Sequence, residues 1–236
     1  MGFALGGRPP SFTGVAMNNL LEQWKGWLPD LLDGYRISLE VTAVTLAVGI
    51  PLGLLLALMV STRSRPIRTF ALIFVEIGRG APALILLQFF YFGLPAAGLT
   101  LSSFASACVA LACCTGAYTS EMIRAGFEAV PYGQKEAALV IGLNGLDALR
   151  FVIIPQGMRV ALPSLLGFSI MMLQATSLCF TIALPELVSR ASNIGSSTFE
   201  YMPVLILAGL LFAVICVPST LAVSALERRL GRHAIR

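Results

Sequence analysis

Two groups of polar side chains lie inside long apolar stretches of this sequence, where ionisable and hydrogen-bonding groups are costly and are candidates for function. Glu76 and Arg79 are three residues apart, a spacing that places both on one face of a helix. They can form an internal ion pair that holds helices together, which we prefer, or they can face a polar solute. Gln174, Thr176 and Ser177 can hydrogen-bond the ammonium or carboxylate of a solute. Serine and threonine hydroxyls also bond to their own helix backbone, so both interpretations stay open.

The other ionisable residues do not form a catalytic or metal-binding set. Arg36 with Glu40 and Glu121 with Arg124 have the spacing of ion pairs along a helix, and we interpret both as scaffold contacts. The single histidine, His233, lies in the C-terminal tail without supporting ligands. We therefore expect no bound metal, no disulfide and no catalytic dyad. The five cysteines lie in apolar stretches, where free thiols pack as small apolar groups: Cys108, Cys113, Cys114, Cys179 and Cys216.

A short, part-charged segment separates two apolar stretches at residues 131–155, and we call it the docking segment. Pro131 and Gly133 break the preceding helix, and residues 134–141 are predicted to form a short helix that ends at Gly142. Asn144 begins a turn, after which the helix resumes over residues 146–154. Pro155 is predicted to disrupt it again.

The composition of the short helix favours contact with another surface. Ala137 and Ala138 have small side chains, so another surface can approach one face of the helix closely. Glu136 offers a carboxylate to a basic partner. The alternative is an ordinary amphipathic loop that returns to the membrane. No GxxxxGK[ST] loop occurs in the sequence, so any nucleotide-driven step requires an ATPase on another chain.

The whole sequence has the balance of a membrane protein. Of its 236 residues, 57% are hydrophobic and 12% charged, with a mean hydropathy of +0.84, whereas soluble domains are about a quarter charged. Lipid offers no partners for backbone amides, so long apolar stretches should be helices, and about 20 residues cross the hydrocarbon core. The sequence predicts an all-α integral membrane protein with five transmembrane helices: about Ile37–Val60, Phe70–Leu94, Ser103–Glu121, Val160–Leu184 and Tyr201–Leu226.

Two of these regions have further character. The third stretch contains three cysteines with Ser106 and Thr115, so we expect it to contact protein rather than lipid. An amphipathic segment interrupted by Pro29 is predicted before the first span, and residues 1–16 are interpreted as a loose tail without a cleaved signal peptide. The segment's apolar residues repeat at helical spacing and include two tryptophans, which favour the headgroup region: Leu20, Leu21, Trp24, Trp27, Leu28 and Leu31.

The basic residues predict the orientation. Four of the sixteen lie on the side of the N-terminus: Arg8, Lys25, Arg36 and Arg190. Arg79 falls within a predicted span. The remaining eleven fall on the other side, which is therefore cytoplasmic: Arg63, Arg65, Arg68, Arg124, Lys135, Arg150, Arg159, Arg228, Arg229, Arg232 and Arg236. The topology is N-out and C-in, and a nucleic-acid partner is not expected because the sequence lacks a soluble basic surface.

Three ordered motifs resemble one family. "EAALVIG" at 136–142, followed by Ile154-Pro155, resembles the EAA loop of ATP-binding-cassette (ABC) importer permeases. "VEIGRGAPALILLQFFYFGLP" (75–95), "GAYTSEMIRAGFEAVPYGQKEAALVIGL" (116–143) and "PQGMRVALPSLLGFSIMMLQATSL" (155–178) resemble its polar amino-acid branch, which serves histidine, glutamate, glutamine, arginine and opines. The resemblance runs from about Gly34 to Leu230.

This resemblance implies a type I ABC importer permease in the bacterial inner membrane, which is not itself an enzyme. Its partners would be an ABC ATPase homodimer that holds ATP and magnesium, a second permease subunit, a periplasmic amino-acid-binding protein and the lipid bilayer. The cytoplasmic EAA coupling helix would contact the ATPase through Glu136, Ala137, Ala138 and Gly142. The implied domains are an N-terminal part (1–33), a transmembrane domain (34–230) and a tail (231–236).

One departure from the family pattern bears on the substrate and on the second permease. Many relatives carry Lys-Asp before the Thr-Ser pair, whereas this chain has Gln174-Ala175. A carboxylate for a cationic side chain is therefore missing here, so the substrate is not cationic or the second permease supplies the acid. The stretch 174–194 resembles the partner subunit of heterodimeric histidine, arginine or opine systems, which favours a heterodimer over a homodimer.

Two other function classes, an intramembrane enzyme and a secondary transporter, require features that this sequence lacks. An intramembrane enzyme would need a Ser-Lys, Asp-Asp or histidine constellation at useful spacing, and none occurs. An ion-coupled secondary transporter would carry inverted repeats, and five spans do not divide into two equal halves.

Overall fold

The computed structural model describes the backbone of residues 12–234 and the side chains of residues 20–229, and every regular element in that range is helical. Short π and 3-10 turns extend three of the helices. The elements are α1 (Phe12–Val60), α2 (Arg65–Gly80), α3 (Ala83–Gln88) with a π turn (Phe89–Gly93) and a 3-10 turn (Leu94–Ala97), α4 (Ser103–Glu128), α5 (Tyr132–Val140), α6 (Gly145–Ala148) with a π turn (Leu149–Ile153), α7 (Ile154–Ala175) with a 3-10 segment (Thr176–Ile182), α8 (Leu187–Thr198) and α9 (Tyr201–Ala234).

Four helical segments of the described chain are long and apolar enough to cross a membrane: Leu20–Val60, Ser103–Glu128, Gly145–Ile182 and Tyr201–Arg229. A fifth crossing is reached only when α2 and the α3 region count as one broken span, because the two are bent by 104°. The predicted all-helical membrane protein is confirmed.

The prediction of one continuous second span over Phe70–Leu94 is wrong. Helix α2 ends at Gly80, and Ala81 is extended, with φ −80° and ψ 132°. Pro82 causes this, because a proline disfavours the helical conformation of the residue before it and cannot donate a backbone hydrogen bond.

Two other prolines were predicted to break helices, and neither does. Helix α1 runs through Pro29, so the N-terminal amphipathic segment is continuous with the first span, and the predicted domain boundary after residue 33 falls inside α1. The helix is held on both sides of Pro29, because the Trp24 indole N–H donates to the Pro203 carbonyl at 3.2 Å and Leu31 is fully buried. Pro155 lies inside the helical segment Gly145–Ile182, directly after the π turn Leu149–Ile153, and the segment continues through it.

Helix α4 lies at the centre of the bundle. Within its most apolar window 67% of the residues are buried, against 22–39% in the other three spans, which confirms that the third stretch contacts protein. Glycines permit the close approach: a Cβ on Gly49 of α1 would lie 2.5 Å from Thr115, and one on Gly116 of α4 would lie 2.7 Å from Leu52. Small residues at such crossings let membrane helices pack backbone against backbone.

Candidate functional site

The docking segment folds as two short helices joined by a tight turn. Helix α5 ends in a Schellman motif, in which the Gly142 N–H donates to the Leu139 carbonyl and the Leu143 N–H donates to the Ala138 carbonyl, both at 3.0 Å. Gly142 has φ +86°, a left-handed conformation that costs a glycine nothing. The predicted end of the helix at Gly142 is confirmed.

Asn144 fixes the second half of the segment. Its side-chain oxygen accepts hydrogen bonds from the Leu146 and Asp147 backbone N–H groups, each at 2.9 Å, and its amide donates to the Asp147 carboxylate at 2.6 Å. Sequence reasoning identified a turn here but missed the N-cap, which the Asn-x-x-Asp spacing could have indicated. The segment is thus closed by local hydrogen bonds at both joints.

The surface of the docking segment is more apolar than the sequence motif of one acid and two alanines indicated. Glu136, Ala137 and Gly142 are exposed, but Ala138 is only 2% exposed and packs inside the chain, so its side chain cannot contact a partner. A set of large apolar side chains, missed by sequence reasoning, is largely exposed beside them: Tyr132 (73%), Leu139 (60%), Val140 (85%), Ile141 (76%) and Leu146 (78%). Apolar patches of this kind mark interaction surfaces.

The charges of α2 and α4 form a cross-helix ladder instead of the predicted pair on α2. Arg79 lies 3.7 Å from the Glu121 carboxylate, which also binds Arg124 at 2.7 Å, and Arg124 reaches Glu128 at 2.5 Å. The preferred Glu76–Arg79 ion pair is therefore wrong, because Arg79 turns toward α4. The Glu121–Arg124 and Arg36–Glu40 pairs are confirmed, the latter at 2.8 Å.

Glu76 remains exposed on α2 and has no ion-pair partner among the described side chains. It lies eleven residues beyond the start of α2 at Arg65, which is roughly 16 Å by helix rise and close to the middle of a bilayer. A carboxylate at that depth requires a protein or water-filled surrounding.

Gln174 and Ser177 line a common pocket of about 320 Å³ between the end of α7, α8 and α9. Within the described chain neither side chain has a hydrogen-bond partner, so both are available to a solute. Thr176 is not part of this pocket: it is fully buried, and its hydroxyl donates to the Leu173 carbonyl at 2.7 Å. Gln174 and Ser177 are therefore available to a solute, whereas Thr176 bonds to its own helix backbone.

A buried carboxyl fixes the helix that closes this pocket. Glu186 is fully buried and caps α8, accepting hydrogen bonds from the Val188 and Ser189 N–H groups at 2.9 and 2.8 Å. Burial raises the pKa of Glu186 to about 7, although these two backbone hydrogen bonds act in the opposite direction. Asp30 of α1 and Arg190 of α8 pair at 2.8 Å beside it. Sequence reasoning missed Glu186.

The described residues contain no group of three or more histidine, cysteine or carboxylate side chains that could hold a metal ion. The arrangement therefore offers a docking surface at one end, an uncommitted carboxylate at mid-depth and a polar pocket further along, rather than reactive groups.

Comparison with known proteins gives consistent matches over most of the chain. Residues 49–232 match the family described as binding-protein-dependent transport system inner membrane component. The chain is 33% identical to the arginine transport system permease protein ArtQ of Bacillus subtilis (strain 168), over 86% of this chain and 93% of that protein. It is 34% identical to the glutamate/aspartate import permease protein GltK of Escherichia coli O157:H7, over 86% and 94%, and 34% identical to the L-cystine transport system permease protein TcyB of Bacillus subtilis (strain 168), over 96% and 97%.

Solved structures agree with these matches. A chain of the crystal structure of an amino acid ABC transporter with histidines superposes with a TM-score of 0.83 at 33% identity, covering 89% of this chain and 98% of that one. The inward-facing MetNI methionine ABC transporter superposes with a TM-score of 0.65 at 20% identity, covering 84% and 96%, a similarity of fold alone.

Proposed function

This chain belongs to the family of binding-protein-dependent transport system inner membrane components, and from that premise we propose that it is the permease subunit of an ATP-driven importer of polar amino acids in the bacterial inner membrane. The observation that carries the proposal is the docking segment, which is locally rigid, exposed and apolar at one end of a membrane bundle. Large exposed apolar patches on folded proteins mark interaction sites, which supports a partner at this surface.

The partner that fits this surface is an ABC ATPase homodimer, which would hold ATP and magnesium. Glu136, Ala137 and Gly142 form the small and acidic part of the contact, and Val140 and Ile141 supply apolar area. Closure of the ATPase pair would pull two docking segments together. The rigid helices would transmit that movement to the pathway, because packed helices move as bodies.

A charge reversal tests this contact. Glu136→Lys should reduce ATP-driven uptake in proteoliposomes at least tenfold, because it places a like charge against a basic partner surface. Glu22→Lys is the matched control, since Glu22 is an exposed carboxylate on the opposite end of the bundle, and it should leave uptake within about twofold of the unaltered protein. Unchanged coupled transport in the Glu136→Lys protein would refute the assignment.

The amino-acid pathway is assigned to three residues. Gln174 and Ser177 face one pocket with free hydrogen-bonding groups, which suits the ammonium and carboxylate shared by all amino acids. Glu76 is proposed to face the same pathway from α2, where a second permease subunit would cover it. Thr176 and Arg79 act as scaffold, because their polar groups are bonded to Leu173 and Glu121.

We further propose that the second permease is a different chain. Gln174-Ala175 stands where many relatives have Lys-Asp, so a heterodimer would supply the missing carboxylate, and this allows basic amino acids or opines as substrates. Purifying the assembled transporter and measuring its subunit masses distinguishes this from a homodimer.

The substrate class is tested on the associated periplasmic binding protein. Labelled amino acids and opines should bind, and sugars and metal ions should not. Binding of sugars or metal ions alone would refute the amino-acid assignment without affecting the assignment as a permease.

A further inference from the structure

A second pocket lies where the docking segment meets the ends of the membrane helices, and we call it the cationic pocket. It has a volume of about 520 Å³ and is formed by the α1–α2 connection, the end of α4, α5 and the π turn before α7. Its basic residues are Arg68, Arg124 and Lys135, and its apolar lining includes Phe127, Leu149 and Ile153. No residue of the proposed amino-acid pathway contributes to it.

Two of the three cations in this pocket have uncommitted charge. The Arg124 guanidinium binds Glu121 and Glu128 at 2.7 and 2.5 Å, so its charge is neutralised inside the protein. Arg68 and Lys135 have no carboxylate within ion-pair distance among the described side chains. Glu128 is the one carboxylate that lines the described pocket, and Arg124 occupies it. The pocket therefore has an excess of positive charge, which favours the binding of an anion.

The position of the pocket relative to the membrane indicates which kind of anion it binds. Val60 ends the first span and Glu128 ends α4, so the pocket opens at the boundary where phospholipid phosphates lie. Beside Arg68, the surface of α2 exposes Ile67 and Phe70, which are 44% and 62% exposed. A pocket lined by both basic and apolar residues, beside an apolar helix face, matches a molecule that has an anionic head and an acyl tail.

We propose that the cationic pocket binds the headgroup of an anionic phospholipid, with Arg68 and Lys135 holding the phosphate and the acyl chains following the apolar face of α2. Lys135 precedes Glu136 on α5, so a bound lipid holds the docking segment against α1 and α2. This inference rests on the proposed function in one respect only, which is that an ATPase lies beside α5. Lipid binding itself requires no transport.

The assembled transporter, delipidated in detergent and analysed by native mass spectrometry, tests the proposal. Phosphatidylglycerol should bind more tightly than phosphatidylcholine. Arg68→Gln and Lys135→Gln should each weaken phosphatidylglycerol binding about fivefold, and the double variant about 25-fold, since a basic residue near the surface contributes about a fivefold factor. The control is Arg63→Gln with Arg65→Gln, which removes two charges from the same connection outside the pocket and should bind like the unaltered protein.

Several outcomes would overturn the proposal. Equal binding of phosphatidylglycerol by the double variant and the unaltered protein would show that the pocket is not the lipid site. Displacement of the lipid by an equal concentration of inorganic phosphate would assign the pocket to a free anion. Loss of the ATPase from the double variant, with phosphatidylglycerol binding intact, would assign Arg68 and Lys135 to the protein interface. Failure of amino-acid uptake alone bears on the proposed function and leaves the lipid measurement unaffected.

Discussion

Among single residues, Glu186 has the most consequential position outside the docking segment. Its carboxyl is buried where α8 meets α1, and the Leu187 N–H beside it donates to the Ser38 hydroxyl at 3.4 Å. The Cys179 thiol also faces this carboxyl. Beside it, Arg190 of α8 pairs with Asp30 of α1. Because Arg190 is committed to Asp30, desolvation dominates, and the pKa of Glu186 rises to about 7.

Glu186 should make the stability of the protein depend on pH. Its pKa in the folded protein, about 7, exceeds the ordinary value of 4.5, so the folded state binds the proton more tightly. Its favourable contribution is full below pH 4.5 and is lost as the pH rises through 7, by about 3 kcal/mol in all. Glu186→Gln should remove this slope between pH 5 and 8, measured as the thermal unfolding midpoint of the purified protein. The exposed carboxylate variant Glu136→Gln should keep it, and an unchanged slope in Glu186→Gln would refute the assignment.

The candidate residues show what sequence can establish at this scale. Gly142 was predictable, because a left-handed helix end needs glycine and the pattern around it is local. The different surroundings of Thr176 and Gln174 were not predictable. Thr176 is buried in the bundle, whereas Gln174 lines the pocket formed with α8 and α9. Glu76 and Arg79 were misassigned for the same reason: the partner of Arg79 is Glu121, which lies 42 positions away in the chain.

Among the helices, three prolines had three different effects on the helical segments around them. Pro82 bends the second span by 104°, Pro29 lies inside a continuous α-helix, and Pro155 lies where a π turn passes into an α-helix. The sequence shows that each proline lacks a donor, but tertiary contacts determine whether the helix continues, such as the bond from Trp24 to Pro203 that holds α1. The number and length of the apolar stretches were predictable, because lipid imposes them.

The crossing of α4 and α7 should be sensitive to one methyl group. A Cβ on Gly126 would overlap the Gly157 carbonyl oxygen and lie 3.0 Å from the Ala161 Cβ. Gly126→Ala should therefore destabilise the protein by about 1–3 kcal/mol, as overpacked sites do, measured by thermal unfolding in detergent. Gly167→Ala is the control on α7, since nothing lies within 4 Å of its added Cβ. A Gly126→Ala protein as stable as this control would show that the two helices do not pack so closely.

For the molecule as a whole, one asymmetry is that basic residues concentrate at the end that carries the docking segment and the cationic pocket. The α1–α2 connection, α5 and the end of α4 lie at one end of the bundle and carry Arg63, Arg65, Arg68 and Lys135. Glu186 and the Asp30–Arg190 pair belong to the α1–α8 joint toward the other end. The positions of the basic residues along the sequence predict that the α1–α2 connection and the docking segment share one side and that Arg190 lies on the other. They do not predict which lateral surfaces face lipid and which face protein, because exposed apolar residues occur on both.

The orientation that this asymmetry implies can be measured directly. With the N-terminus outside, residue 197 on α8 should lie outside and residue 63 in the α1–α2 connection should lie inside, because basic connections remain cytoplasmic. Ser197→Cys should react with a membrane-impermeant maleimide in intact spheroplasts, whereas Arg63→Cys should react only after the membrane is broken. The five native cysteines lie within the helical bundle and are buried or half-buried, so the unaltered protein should stay unlabelled and serves as the control. The reverse pattern would place the docking segment outside the cell, where no ATP-driven partner could reach it.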